Sequence, residues 1–134
     1  MAHAADELTA PTLEDIERMA RAAWDELPEA FREPCAGLAI RVADFADDAT
    51  LEAMGIEDPF ELTGLYHGIA LTEKSVMDVA TEPDAVWLYR RPILEEWIER
   101  GDVALAALVA HVLVHEIAHH FGISDERLIE LGAY

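Results

Sequence analysis

The sequence predicts a single α+β domain in which a small mixed β-sheet packs against an N-terminal helix and a second helix near the C-terminus. Three observations predict it. Apolar residues recur at helical spacing over residues 13–27 and again over 103–121. Between them lie two short segments of strand character, 38–42 and 85–91. The chain has 134 residues, 52% of them hydrophobic, which suits one domain with a real core. No internal repeat and no linker divides it, so runs of helices around a few strands read as α+β.

Residues 1–11 read as a loose tail, and the domain as 12–134. Thr12 is placed to cap the first helix, with Asp15 at the capping-box position. Leu13, Ile16, Met19, Ala20, Ala23, Trp24 and Leu27 form its apolar stripe, and Pro28 ends it. Pro34–Gly37 is a break. Leu38, Ile40 and Val42 alternate with Ala39 and Arg41 as a strand. Residues 44–64 are acidic and punctuated by Gly and Pro, with one helical turn at Thr50–Met54. Gly64–Leu71 can hold a second short strand, and Glu73–Glu82 reads as irregular or weakly helical. Ala85–Arg91 is the strongest strand after the first, with Val86, Leu88 and Arg90 on one side. Pro92 sits at the first position of a helix that Gly101 breaks. Asp102 caps the next helix, which runs from Val103 to about Phe121 and stops at Gly122. Ser124 caps a last short helix. Trp24, Trp87, Trp97 and Phe121 read as core.

Composition narrows the function. Nine basic residues stand against twenty-eight acidic ones, a formal net charge of −19. That argues against binding a phosphate backbone, which depends on Lys and Arg, so no nucleic-acid partner is expected. The most apolar run, Val103–Val114, is too short to span a membrane. The N-terminal stretch MAHAADELTAPT lacks the basic and apolar regions of a signal peptide. A single cysteine, Cys35, permits no intramolecular disulfide and no Cys-rich zinc site. A cytoplasmic protein without membrane contact is the expectation.

The chemistry concentrates in His115-Glu-Ile-Ala-His119-His-Phe-Gly122-Ile-Ser-Asp125. On a helix, His115 and His119 are one turn apart on one face, so both imidazoles can meet one ion. Glu116 is rotated about 100° from His115, beside such an ion rather than on it, where it can act as a general base. Gly122 can take a left-handed conformation and end the helix sharply. The chain then folds back, and Asp125 can supply a third ligand, with Glu126 and Glu130 as rivals. Three protein ligands leave a fourth position open, the catalytic pattern for zinc. Otherwise His111, His115, His119 and Glu116 would burden an apolar helix with several polar groups to satisfy. His111 reads as packed and hydrogen-bonded, with a contact to a metal-binding side chain or to substrate as the alternative, and His120 as structural, whereas His67 and Tyr66 are candidates to approach the site and stabilise an oxyanion.

At these residues the chain resembles the zincin metallopeptidases, and more closely the small bacterial minimal zincins. Gly64-Leu-Tyr-x-Gly-x-x-Leu-Thr-Glu-x-Ser75 and Leu88-Tyr-Arg-Arg-Pro-Ile93 are similar to the central segments of that family. The resemblance runs from about residue 12 to the end. It implies a compact domain with a small sheet beside the active helix, and Zn2+ on His115, His119 and Asp125. It further implies hydrolysis of peptide bonds by a zinc-activated water with Glu116 as general base, acting on a peptide or protein substrate. The alternative is a non-catalytic metal-binding module that binds a peptide or protein partner. The resemblance also implies an edge strand that holds an extended peptide, supplied by Ala85–Arg91 or Gly64–Leu71. One departure stands out: zincins commonly carry a methionine turn downstream of the motif, and no methionine follows His115.

Overall fold

The computed structural model describes residues 9–68 and 84–130, the side chains of Leu128 and Ile129 excepted. Residues 1–8 of the expected tail, the far end of Gly64–Leu71 and the stretch Glu73–Glu82 lie outside the described residues. In chain order the elements are α1 (Leu13–Glu26), α2 (Glu29–Arg32), β1 (Ala39–Ala43), α3 (Asp48–Met54), β2 (Gly64–His67), β3 (Ala85–Tyr89), α4 (Arg90–Arg100), α5 (Leu105–His120) and α6 (Asp125–Glu130). Short 3-10 turns occupy Glu33–Cys35 and Pro59–Glu61.

The sequence signals account for α1. The Thr12 hydroxyl accepts from the Asp15 amide, and the Asp15 carboxylate accepts from the Thr12 amide, closing the capping box. Ile16 and Ala20, one turn apart, are fully buried on its inner face.

The sheet is mixed. Its order is β1-β3-β2, with β1 parallel and β2 antiparallel to β3. Strand alternation sends Ile40, Val42, Val86, Leu88 and Tyr66 to one face, where α1 and α5 pack with Ile16, Val109, Val112, Leu113 and Ile117. The other face carries Leu65, Trp87 and Tyr89 against Ala46, Leu51 of α3 and Leu62. The central strand β3 is therefore covered on both sides, which is why it reads as a nearly continuous apolar run. Both of its edges are occupied by β1 and β2, so Ala85–Arg91 cannot accept a peptide as an added strand. Trp24, Trp97 and Phe121 are half-buried against the main core, and Trp87 against the second cluster.

Three expectations are corrected. Helix α4 begins at Arg90, two residues before Pro92. Arg90 is thus no strand residue: its guanidinium bonds the Pro11 carbonyl and the Asp44 carboxylate. Pro92 falls third in the helix, still within the first turn, whose amides have no intrahelical partner. Asp102 does not cap α5; Ala104 occupies that position, with no side-chain cap, and the helix starts at Leu105. The Trp97 indole donates to the Val103 carbonyl at 2.9 Å, holding the connection after Gly101 outside the helix. A further one-turn helix, α2, lies between Pro28 and the break at Pro34–Gly37, where no element was expected.

Candidate metal centre

Helix α5 lies with Leu108, Val109, Val112, Leu113 and Ile117 in the core. Its other side lines an open cleft of about 820 Å³, bordered by residues of β2, α4 and the loop before β2. His115 and His119 sit at this boundary, partly buried, with ring centroids 5.0 Å apart and nearly perpendicular planes.

The helix ends as the sequence requires. Gly122 has φ +82°. Its amide donates to the His119 carbonyl at 2.9 Å, and the Ile123 amide donates to the Ala118 carbonyl at 3.0 Å. These two bonds form a Schellman motif, which turns the chain back along the helix. Helix α6 starts three residues later, with the Ser124 hydroxyl accepting from the Arg127 amide at 3.2 Å.

The reversal delivers Asp125 to the histidines. Its Oδ1 lies 3.2 Å from His115 Nε2 and 3.0 Å from His119 Nε2. Two ligands about 2.1 Å from one tetrahedral ion stand roughly 3.4 Å apart, so these separations suit donors converging on a single cation. The turn also orients His119. Its Nδ1 is 2.8 Å from the Ile123 carbonyl oxygen. A carbonyl can only accept, so Nδ1 carries the proton and Nε2 presents its lone pair to the centre.

Glu116 stands behind this trio. The donor atoms of His115, Glu116 and His119 lie within 4.8 Å of one another, a grouping able to hold a metal ion. The carboxylate is the more distant member: Oε2 is 3.8 Å from His115 Nε2, and Oε1 is 4.0 Å from His119 Nε2. Oε1 also accepts the Tyr66 main-chain N–H at 3.1 Å. Burial pushes the Glu116 carboxyl up to about 7, against the pull of His119 and the Tyr66 amide. Burial likewise lowers the His115 pKa, helped by the charge of His119 and opposed by Asp125. Both shifts favour neutral groups at a site without a cation, the state in which imidazoles bind metal.

The other sequence candidates are distributed as follows. His111 is exposed on the cleft side, its ring 6.5 Å from that of His115. Glu130 pairs with Arg127 at 2.9 Å, and Glu126 is exposed on α6. Tyr66 reaches the centre through its main chain, not its phenol. The phenol donates to Asp84 Oδ2 at 2.9 Å and lies 3.0 Å from His120 Nδ1. His67 shares with Leu65 the face of β2 turned away from α5. Sequence reasoning missed Gly64. A Cβ there would fall 2.7 Å from Val112 Cγ1 and 3.2 Å from Glu116 Cγ, so only glycine lets β2 lie this close to the helix. Its place in a short strand was the available signal.

Among the described residues, no helix is long and apolar enough to cross a membrane. No curated protein matches the chain. The model of the zincin-like metallopeptidase family matches residues 35–133, from the buried Cys35 through the whole stretch His115–Asp125, and the chain belongs to that family.

Proposed function

We propose that the protein is a zinc-dependent metallopeptidase in which His115, His119 and Asp125 hold the metal and Glu116 is the general base. The observation that carries this reading is the position of Asp125 Oδ1, 3.2 and 3.0 Å from the two Nε2 atoms. An Asp/His donor set of this kind suits zinc, and three protein ligands leave room for water or substrate. Glu116 fits the outer role better than that of ligand. It is farther from both imidazoles, and its Oε1 is already committed to the Tyr66 amide.

When bound, zinc supplies Lewis-acid polarisation of the scissile carbonyl and activates the attacking water. The remaining work falls to the chain. His119, fixed by the Ile123 carbonyl, keeps the ligand geometry rigid. With Oε1 anchored, Glu116 has Oε2 for the proton taken from the attacking water, which it then passes to the leaving amine. The peptide lies in the cleft lined by α5, α4 and β2, where β2 is the sheet edge next to the helix.

Metal content per chain, measured on protein purified without a histidine tag, is the first test. About one zinc in the natural protein and a large loss in Asp125→Ala is the expected result; equal content in both would remove Asp125 from the ligand set. Glu116→Gln should keep zinc and lose hydrolysis of a peptide library. Zinc binding with no hydrolysis even by the natural protein would leave a metal-binding module that recognises a peptide or protein.

A further inference from the structure

We infer that Tyr66, His120 and Asp84 act together as a positioning device for Glu116, clamping strand β2 to helix α5 at two points one helical turn apart. The inference rests on the general-base reading of Glu116 for its catalytic consequence, but the clamp itself is a matter of geometry. Glu116 and His120 are four residues apart and are the two buried polar residues among those described. Both are met by one residue of β2. The Tyr66 main-chain N–H donates to Glu116 Oε1, and the Tyr66 phenol contacts His120 Nδ1. Positions four apart share a helix face, so a single strand residue can reach both.

The hydrogen-bond directions form one chain. Asp84 is a carboxylate and accepts from the phenol, at 2.9 Å. The phenol proton being spent there, the phenol oxygen accepts the proton on His120 Nδ1, at 3.0 Å. Asp84 Oδ2 also lies 3.3 Å from that Nδ1 and can share the same proton. Asp84 immediately precedes β3, so the relay ties the start of the central strand to the edge strand and to the active helix. Tyr66 pairs with Val86 in the antiparallel register. The Tyr89 amide bonds the Thr63 carbonyl, and alternation from that pair turns the Tyr66 N–H away from β3. Gly64 completes the arrangement: its missing side chain lets the strand approach Val112 and Glu116.

The consequence is that Glu116 has one restrained oxygen and one working oxygen. A carboxylate that rotated about its last bond would present either oxygen to the water. The Tyr66 N–H removes that freedom only if β2 itself cannot slide, and the phenol–Asp84–His120 chain is what stops it. Tyr66, His120 and Asp84 are thus positioning residues, acting on the reaction through Glu116.

The test reads the clamp directly and the reaction separately. Amide hydrogen exchange at residue 66 is measured by NMR in the natural protein and in Glu116→Ala, Tyr66→Phe, His120→Leu and His120→Asn. Glu116→Ala sets the rate for an amide with no acceptor. Tyr66→Phe and His120→Leu keep the amide and Glu116, yet should speed exchange at residue 66 by roughly tenfold, the scale of one hydrogen bond to a charged group. His120→Asn, whose amide N–H can replace the Nδ1–H donor, should restore slow exchange. On zinc-loaded protein Tyr66→Phe and His120→Leu should lower kcat on the order of tenfold with KM little changed, as for residues that orient a catalytic group. Unchanged exchange at residue 66 in Tyr66→Phe and His120→Leu would overturn the clamp. If Tyr66→Phe fails to fold, Asp84→Asn, which keeps the size of the acceptor but removes its charge, takes its place with the same expectation. Faster exchange in a protein that hydrolyses no peptide would keep the clamp and reject the peptidase reading.

Discussion

At Glu116, burial and function pull in opposite directions. The core around it favours the neutral acid, and its pKa is raised from 4.5 to about 7. A carboxyl that holds its proton more tightly when folded loses stability for the fold as pH rises from its unfolded value to its folded one. In metal-free protein, Glu116 therefore contributes most below pH 4.5, and that contribution is gone above about pH 7. The gap is worth at most ~3 kcal/mol. Glu116→Gln lacks this titration, so its stability relative to the natural protein should grow between pH 4.5 and pH 8. Urea unfolding in the presence of a chelator at several pH values measures the difference; a constant difference would show that Glu116 ionises normally. Gly64 is the second decisive residue. Gly64→Ala should cost ~1–3 kcal/mol by forcing β2 off Val112, and should depress hydrolysis as the Tyr66 amide leaves Glu116. Chemical unfolding and a peptide assay on the same preparation would separate the two effects.

Among the elements, the α5–α6 turn decides whether three donors meet. Its Schellman bonds depend on Gly122 at φ +82°, a conformation that costs an L-residue about 1 kcal/mol or more. Gly122→Ala should lower stability by about that amount. It should weaken zinc binding by a larger factor, because the same turn places both Asp125 and the Ile123 carbonyl that orients His119. Zinc titration calorimetry on Gly122→Ala checks this. An unaltered affinity would mean that Asp125 finds the histidines without the turn. Helix α5 itself needs no strong cap. Its buried stripe holds it in place, which explains how it begins at Leu105 with no side-chain cap from Ala104.

For the whole molecule, the metal and the charge have separate consequences. Under the proposed function zinc binds the site that folding assembles, so excess zinc should raise the melting temperature; at 100 times its Kd the gain is about 2.7 kcal/mol. Thermal melting with zinc and with chelator tests this, and the shift should disappear in Asp125→Ala. The net charge of −19 extends into the cleft, which Asp58, Glu61, Glu95 and Glu99 line together with His115 and His119, and where Arg100 is paired with Glu96. Under the peptidase reading, peptides bearing Lys or Arg should therefore be cut with higher kcat/KM than acidic ones. That advantage should shrink as salt reduces the Debye length from ~30 to ~3 Å. A preference unaffected by salt would assign it to shape, not charge.

The sequence by itself determined whatever is set by local spacing. The capping box at Thr12, the stop at Gly122, the cap at Ser124, and the placing of His115, His119 and Glu116 on one helix all follow from neighbours within a few residues. Ala85–Arg91 was legible as a strand, but its central place in the sheet, which excludes it as a peptide-holding edge, depends on pairing with β1 and β2. Boundaries were less legible where a distant group intervenes, as where Asp44 and Pro11 receive Arg90, or the Trp97 indole holds Val103. Asp125 was legible as one of three acidic candidates; the path of the chain after Gly122 brings it, and not Glu126 or Glu130, within 3.2 Å of the imidazoles. Only the tertiary structure revealed the bonds made by Tyr66, because residues 66, 84, 116 and 120 are joined by strand register and helix docking. Local periodicity is written in the chain; the meeting of a strand edge with a helix face depends on how the whole core packs.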